Sequence, residues 1–447
     1  MENFAACCSL LGGFILSFGV FSLLIKEKLY IAESAVATIY GMICKVGLKY
    51  FGMGELVESH LSNSTFIFHF AHMVMSLQLV AVAVTVPKTF FRKNWLSIAT
   101  LLLPVMAIMF GISTLIVKYV CGFGWPVAMI AGACVTPTDP ILASAVLKGR
   151  FANKYIPSRL RHLLAIESGS NDGLGFPLLT LPIFLMKHTD KPGGVLSAFK
   201  DWFYCTWLFE ILVAVVIGVL IGLFARALLK YSLKQHWIDK ESFLVYALAL
   251  AVLVTGVTAL IGSDDLLAVF VAGLAFAWDD DMVQDIKDSH IMEVVDLIFN
   301  HAFFIIFGAI LPMEIFNLKH MSAAFLIILF RRLPGVYLMR MLGLLPGLGL
   351  KETFFAGWFG PIGVAAIFFG YHAQHVLGER FHAVTNDIIK CVYAIVFLSI
   401  IIHGTTAPVI HLHLRRRQKK GKKEIDVYGS DTEAERDLET PHLQQIV

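Results

Sequence analysis

Charge is scarce in this chain. Charged residues make up 15% of it, against about 25% in an average soluble domain. Hydrophobic residues make up 57%, and the mean hydropathy is +0.74. Such a composition cannot cover a water-facing surface, which excludes a soluble globular protein. The near-neutral net charge of +3 says little about partners, and no nucleic-acid partner is expected. Metal-ligand spacing is missing too. The seven cysteines, Cys7, Cys8, Cys44, Cys121, Cys134, Cys205 and Cys391, lie mostly in or near apolar runs. They suggest no disulfide framework and read as small buried hydrophobes. The N-terminus lacks the basic region of a signal peptide, so its first apolar run reads as a membrane span.

Apolar stretches of roughly 20 residues, enough to cross about 30 Å of hydrocarbon, recur along the whole chain. Thirteen spans are expected, at 4–25, 29–49, 66–87, 95–117, 124–147, 159–186, 203–229, 242–261, 264–279, 290–316, 321–345, 352–373 and 386–412. The fold class is therefore an all-α polytopic membrane protein. The connections after spans one, three, five and seven carry Lys26/Lys28, Lys88/Arg92/Lys93, Lys148/Arg150/Lys154 and Arg226/Lys230/Lys234. Basic connections stay in the cytoplasm, which places the N-terminus outside and the C-terminus inside. The acidic run Asp279–Asp281 departs from the pattern, but acids weigh little in orientation. Seven of the nine residues Arg415–Lys423 are basic. They read as an anchor at the cytoplasmic surface, and the acidic stretch Glu424–Glu439 beyond them reads as disordered.

Two interruptions of the apolar pattern carry the chemistry. Span five contains Thr136-Pro137-Thr138-Asp139-Pro140. Each proline lacks an N–H, so the carbonyls of Ala133 and Thr136 are expected to lose their helical donors. An acid at membrane depth is costly and points to function. Span six contains Glu167-Ser168-Gly169-Ser170-Asn171-Asp172-Gly173. Ser168 and Asp172 are four apart and share a helix face, as do Glu167 and Asn171. Two carboxylates, a hydroxyl and freed carbonyls make an all-oxygen set suited to a hard cation. Burial and a second nearby carboxylate both disfavour ionisation. Cation and protons would then compete for the oxygens of Asp139 and Asp172, and that competition is the basis of exchange.

Glu167 needs a partner of its own, and Arg332 in span eleven is assigned as its ion pair; Arg331 receives no partner. Span twelve is broken at Gly357-Trp358-Phe359-Gly360-Pro361-Ile362-Gly363, with Pro361 freeing the Gly357 carbonyl. If spans four to six and eleven to thirteen are inverted repeats, the broken spans occupy matching positions, the sequence pointer to a transporter's central site. The pairs His69/His72 and His372/His375 lack a third ligand for a metal. His162 and His403 read as hydrogen-bonded structural histidines. Glu210, Asp264, Asp265, Asp296 and Glu314 fall near span ends and read as solvated. An intramembrane aspartyl protease and a cation channel are competing readings. The first lacks its glycine-x-glycine-Asp motif here; the second lacks a repeated filter loop.

At these residues the chain resembles the cation/proton antiporter superfamily, and within it the fungal plasma-membrane Na+(K+)/H+ antiporters. The matching stretches are Thr136–Ala143, Arg161–Gly173, Arg331–Pro334, Gly357–Val364 and His403–Pro408. The resemblance implies a core that moves like an elevator against a dimerisation scaffold. It assigns 1–94 and 187–320 to scaffold and linking spans, 95–186 and 321–412 to the two core repeats, and 413–447 to a cytoplasmic tail. It implies ion ligation by Asp139, Asp172, Ser168 and the Thr138 carbonyl, proton coupling at Asp172 and Asp139, and support from Asn171 and Thr136. The helix breaks are formed by Pro137, Pro140, Gly357, Gly360, Pro361 and Gly363. The expected cargo is Na+, Li+ or K+ against H+, without a cofactor. The expected state is a homodimer in the plasma membrane.

Overall fold

The computed structural model describes residues 2–140, 142–143, 156–188, 193–278 and 291–419. The basic connection Lys148/Arg150/Lys154, Asp279–Asp281 and the stretch Glu424–Glu439 lie outside the described residues, as do the side chains of Asp296 and of the basic run from Arg415. Among the described residues there is no strand. Only a helix satisfies its own backbone without water, so a chain this apolar has no other open form in hydrocarbon.

The spans, in order, are α1 (Glu2–Leu23), α2 (Glu33–Tyr50), α3 (Ser64–Ala83), α4 (Trp95–Cys121), α5 (Trp125–Cys134, with a continuation beyond a break), α6 (Ser158–Leu174 and Phe176–Lys187), α7 (Gly194–Lys234), α8 (Lys240–Ile261), α9 (Asp265–Phe276), α10 (Ile291–Ile310), α11 (Leu318–Phe330 and Leu333–Met341), α12 (Leu350–Trp358 and Val364–Leu377) and α13 (His382–Lys419). Four of the starts are set by short polar side chains. Asn63, Asp239, Asp264 and Asn317 accept from the backbone N–H groups of Phe66, Ser242, Leu267 and His320 at 3.1, 2.6, 3.0 and 2.8 Å.

Among the described residues, α1, α3, α4, α7, α11 and α13 are each long and apolar enough to cross a bilayer unaided. The short α9 is enclosed instead. It packs against α3, α6, α7 and α8, and nearly all its residues are buried, so protein replaces the lipid match. This enclosure corrects one expectation. Asp264 and Asp265 are not solvated but 3% and 8% exposed, because α9 starts below the surface of the packed bundle. Asp265 approaches His72 of α3 at 2.5 Å. Glu314, by contrast, is exposed and pairs with Lys390.

Helices α4, α5, α6, α11, α12 and α13 gather around the two breaks, while α2 pairs with α10 and α7 with α9. α3 touches α8, α9 and α10 as well as α6 and the second half of α12. Burial separates the helices: 11% of the α1 span is enclosed, against 61% of the α13 span.

The α2–α10 pair is close because two glycines remove the spacing side chain. A Cβ at Gly41 would overlap the Ile305 carbonyl, and one at Gly308 would overlap the Thr38 carbonyl. Gly41→Leu is expected to lower stability by about 1–3 kcal/mol through forced separation. Gly47→Ala on the same helix, with nothing within 4 Å of its added Cβ, should not destabilise. Thermal unfolding in detergent distinguishes the two outcomes.

Candidate ion site

The α5 helix stops at Cys134, and the chain runs without helical hydrogen bonding through Pro137 to Asp139. The Ala133 carbonyl is not left open as expected; Thr136 N turns back to it at 3.1 Å. The proline removes the i+4 donor, and a tight turn supplies the i+3 one. Thr136 Oγ1 donates to the Gly132 carbonyl at 2.8 Å, fixing the end of the first half-helix.

Asp139 sits where the two broken helices meet. Its Oδ1 accepts from Leu142 N at 2.9 Å, capping the helical turn that resumes with Pro140 at its first position. Its Oδ2 accepts from Val364 N, also at 2.9 Å, at the start of the second half of α12. Two positive helix ends therefore converge on one carboxylate. Asp139 N donates to the Pro361 carbonyl at 2.9 Å, joining the breaks through backbone as well. Gly363 permits this approach, because a Cβ there would overlap the Asp139 carboxylate.

Beside it, α6 supplies a polar row. Asn171 holds Thr138 at two points: its Oδ1 accepts from Thr138 N at 3.2 Å and its Nδ2 donates to Thr138 Oγ1 at 2.8 Å. Having accepted there, the Thr138 hydroxyl has its proton available for Ser168 Oγ, 2.9 Å away. Asp172, four residues after Ser168, is 1% exposed. Its Oδ1 receives no hydrogen bond from the described residues, and the charge of Asp139 acts on it directly. The structure thus brings Thr136, Thr138, Asp139, Ser168, Asn171 and Asp172 together.

Glu167 and Arg332 face each other in two parallel bonds, Nη1 to Oε1 at 2.5 Å and Nη2 to Oε2 at 2.6 Å. Arg332 Nε donates to the Ala356 carbonyl at 2.6 Å. Arg331, given no role by sequence reasoning, spans the crossing: it donates to the carbonyl of Val135 on one break and, at 2.5 Å, to that of Gly360 on the other. Gly357 lies against Leu333, the residue after the arginine pair. On α13, Ser399 Oγ accepts from Ile362 N at 2.8 Å, and a nitrogen of His403 bonds the Trp358 carbonyl at 3.1 Å. Ser399 was also missed. Its signal was its place four residues before His403, on one face of the same helix. Among the described residues no cluster of three His, Cys, Asp or Glu could hold a metal ion.

A family model described as "Sodium/hydrogen exchanger, transmembrane" matches residues 13–412. The chain belongs to the sodium/hydrogen exchanger family. Within that family it is 37% identical to "Na(+)/H(+) antiporter" of Saccharomyces cerevisiae, over 90% of this chain and 43% of that protein. It is 34% identical to "Na(+)/H(+) antiporter 2" of Zygosaccharomyces rouxii, over 90% and 52%. With "Na(+)/H(+) antiporter" of Schizosaccharomyces pombe it shares 30% identity, over 95% and 96%. The chain thus spans about half the length of the first two relatives and nearly all of the third. The sodium proton antiporter MjNhaP1 of Methanocaldococcus jannaschii superposes with a TM-score of 0.68 at 20% identity, covering 93% of this chain and 99% of that one. The fold is the helical antiporter fold of a sodium/hydrogen exchanger.

Removing either arginine leaves buried groups unpaired. Arg332→Ala should cost about 3–5 kcal/mol, since it strands the Glu167 charge. Arg331→Ala should cost about 1–3 kcal/mol for each of the two abandoned carbonyls. Unfolding measurements on the two variants should therefore show losses of similar size, whereas a loss confined to Arg332→Ala would contradict the bridging role of Arg331.

Proposed function

We propose that the chain is a secondary active antiporter exchanging Na+ or Li+, with K+ as a further substrate of the same chemistry, for H+. The observation that carries the reading is Asp172: a buried carboxylate with an oxygen that no described residue satisfies, beside Asp139 at the crossing of two broken helices. An unsatisfied acid at that depth is costly unless something positive joins it. Charge counting points the same way. The crossing holds the carboxylates Asp139, Glu167 and Asp172 against the guanidiniums of Arg331 and Arg332. With all five ionised, one negative charge is unbalanced, and one monovalent cation or one proton restores neutrality. The two are alternatives for the same place.

An ionised carboxylate offers about four acceptor sites, more than the two helix caps use at Asp139. Ser168, the Thr138 carbonyl and Asp172 complete the oxygen set; Asn171 and Thr136 hold Thr138 in register; Glu167 and Arg332 fix α6 to α11. The names of the fungal relatives, all Na(+)/H(+) antiporters, support this cargo. Residues 95–186 and 321–412 are the moving core, with Pro137, Pro140, Gly357, Gly360, Pro361 and Gly363 forming its breaks. Residues 1–94 and 187–320 are the scaffold of a homodimer. The protein lies in the plasma membrane with its N-terminus outside and 413–447 in the cytoplasm, and uses no cofactor. An aspartyl protease would need both acids open to a substrate, whereas both Asp139 oxygens cap helices.

The test is transport in proteoliposomes carrying a pH-sensitive dye. Addition of Na+ or Li+ should dissipate an imposed proton gradient, and Asp172→Asn should abolish that response while the protein remains folded. Exchange persisting in this variant would overturn the mechanism. Asp139→Asn should raise the cation concentration for half-maximal exchange about tenfold or more, the effect of losing roughly 1.4 kcal/mol of binding. Acidifying the cation-loading side should raise the same parameter in the unaltered protein without lowering the rate at saturating cation. A fall in maximal rate alone would argue against competition.

A further inference from the structure

Cys121 and Cys391 are 270 positions apart in the sequence, yet their sulfur atoms lie 3.9 Å apart. Cys121 is the last residue of α4, and Cys391 faces it from α13, where it is fully buried. Both are free thiols. The pair lies near the end of its helices. Gly122 follows Cys121 in the left-handed conformation, φ 79°, and closes α4. Next to Cys391, Lys390 reaches the exposed Glu314, so this end of α13 meets water. Cys121 is only partly buried. One thiol is therefore reachable from solution and the other lies directly behind it.

We propose that Cys121 and Cys391 form an oxidisable thiol pair that a peroxide converts to a disulfide, tying α4 to α13. The sulfur of Cys121 attacks the peroxide; an S–O bond forms, the O–O bond breaks, and water leaves with the thiol proton. The sulfur of Cys391 then attacks the sulfenic sulfur, the S–O bond breaks, and the hydroxyl departs with the second thiol proton as another water. Two thiols lose two electrons and two protons, and one peroxide becomes two waters. The S–S bond is about 2 Å long, so the sulfurs need roughly 2 Å of approach, which side-chain rotation at the partly exposed Cys121 supplies. On the orientation proposed above, this end of the bundle faces outward, the side on which disulfides persist.

The experiment uses the full chain in lipid nanodiscs, treated with hydrogen peroxide and digested without reductant for mass spectrometry. The expected product is a peptide containing Cys121 joined to one containing Cys391, lighter by two hydrogens than the separate pair and parted by dithiothreitol. Cys121→Ser and Cys391→Ser should each abolish it, while Cys205→Ser, at an exposed thiol elsewhere, should retain it. Recovery of both cysteines reduced, linkage of Cys391 to Cys134 alone, or linkage only through Cys205 overturns the assignment. The readout does not depend on transport, so it stands apart from the antiport reading.

Discussion

A peptide group at membrane depth must find a hydrogen-bond partner inside the protein. Two helices here abandon their own ladders midway, and each break exposes N–H groups on one side and C=O groups on the other. The protein answers by polarity. An acid and a hydroxyl take the donors: Asp139 serves Leu142 and Val364, and Ser399 serves Ile362. Bases take the acceptors: Arg331 serves Val135 and Gly360, Arg332 serves Ala356, and His403 serves Trp358. Each such group left alone would cost about 1–3 kcal/mol. The prolines create the demand, and Asp139 together with residues of α11 and α13 meets it.

The same residues set the electrostatics. A buried ion pair is weak evidence of stability in itself, because desolvation offsets much of its attraction. Glu167–Arg332 has the geometry that limits this loss, with both oxygens and both terminal nitrogens engaged. Its value lies in position: it anchors α6, which carries Ser168, Asn171 and Asp172, to α11, which carries the arginine that reaches both breaks. The α6 side of the site is thereby held by helices rather than by loops.

Much of this was legible in the chain. The apolar runs gave the spans because the helix is the only open fold that hydrocarbon tolerates. Asp139, Asp172 and the two breaks stood out because prolines and acids are rare at that depth. Other features needed three dimensions. Arg331 and Arg332 are adjacent and chemically identical, so sequence could not divide their duties between carbonyls and carboxylate. The Ala133 carbonyl was read as open because the proline rule describes a lost donor and not the turn that replaces it. Asp264 and Asp265 were read as solvated because distance from a span end says nothing about how deep the helix starts. Cys121 and Cys391 became neighbours only through the packing of the first and last helices of the bundle around the crossing.

The double cap made by Asp139 has a consequence for how the protein can vary. Each oxygen reaches a different helix end at 2.9 Å, and Gly363 leaves no room for a longer arm. Glutamate would carry the same charge but add a methylene, and asparagine would keep the length but turn one acceptor into a donor. The position is therefore specified in length, charge and acceptor count together. Adaptation to a new cation has little freedom there. It has to proceed through the surrounding hydroxyls and amide, whose bonds to one another can be exchanged without unfastening the helices.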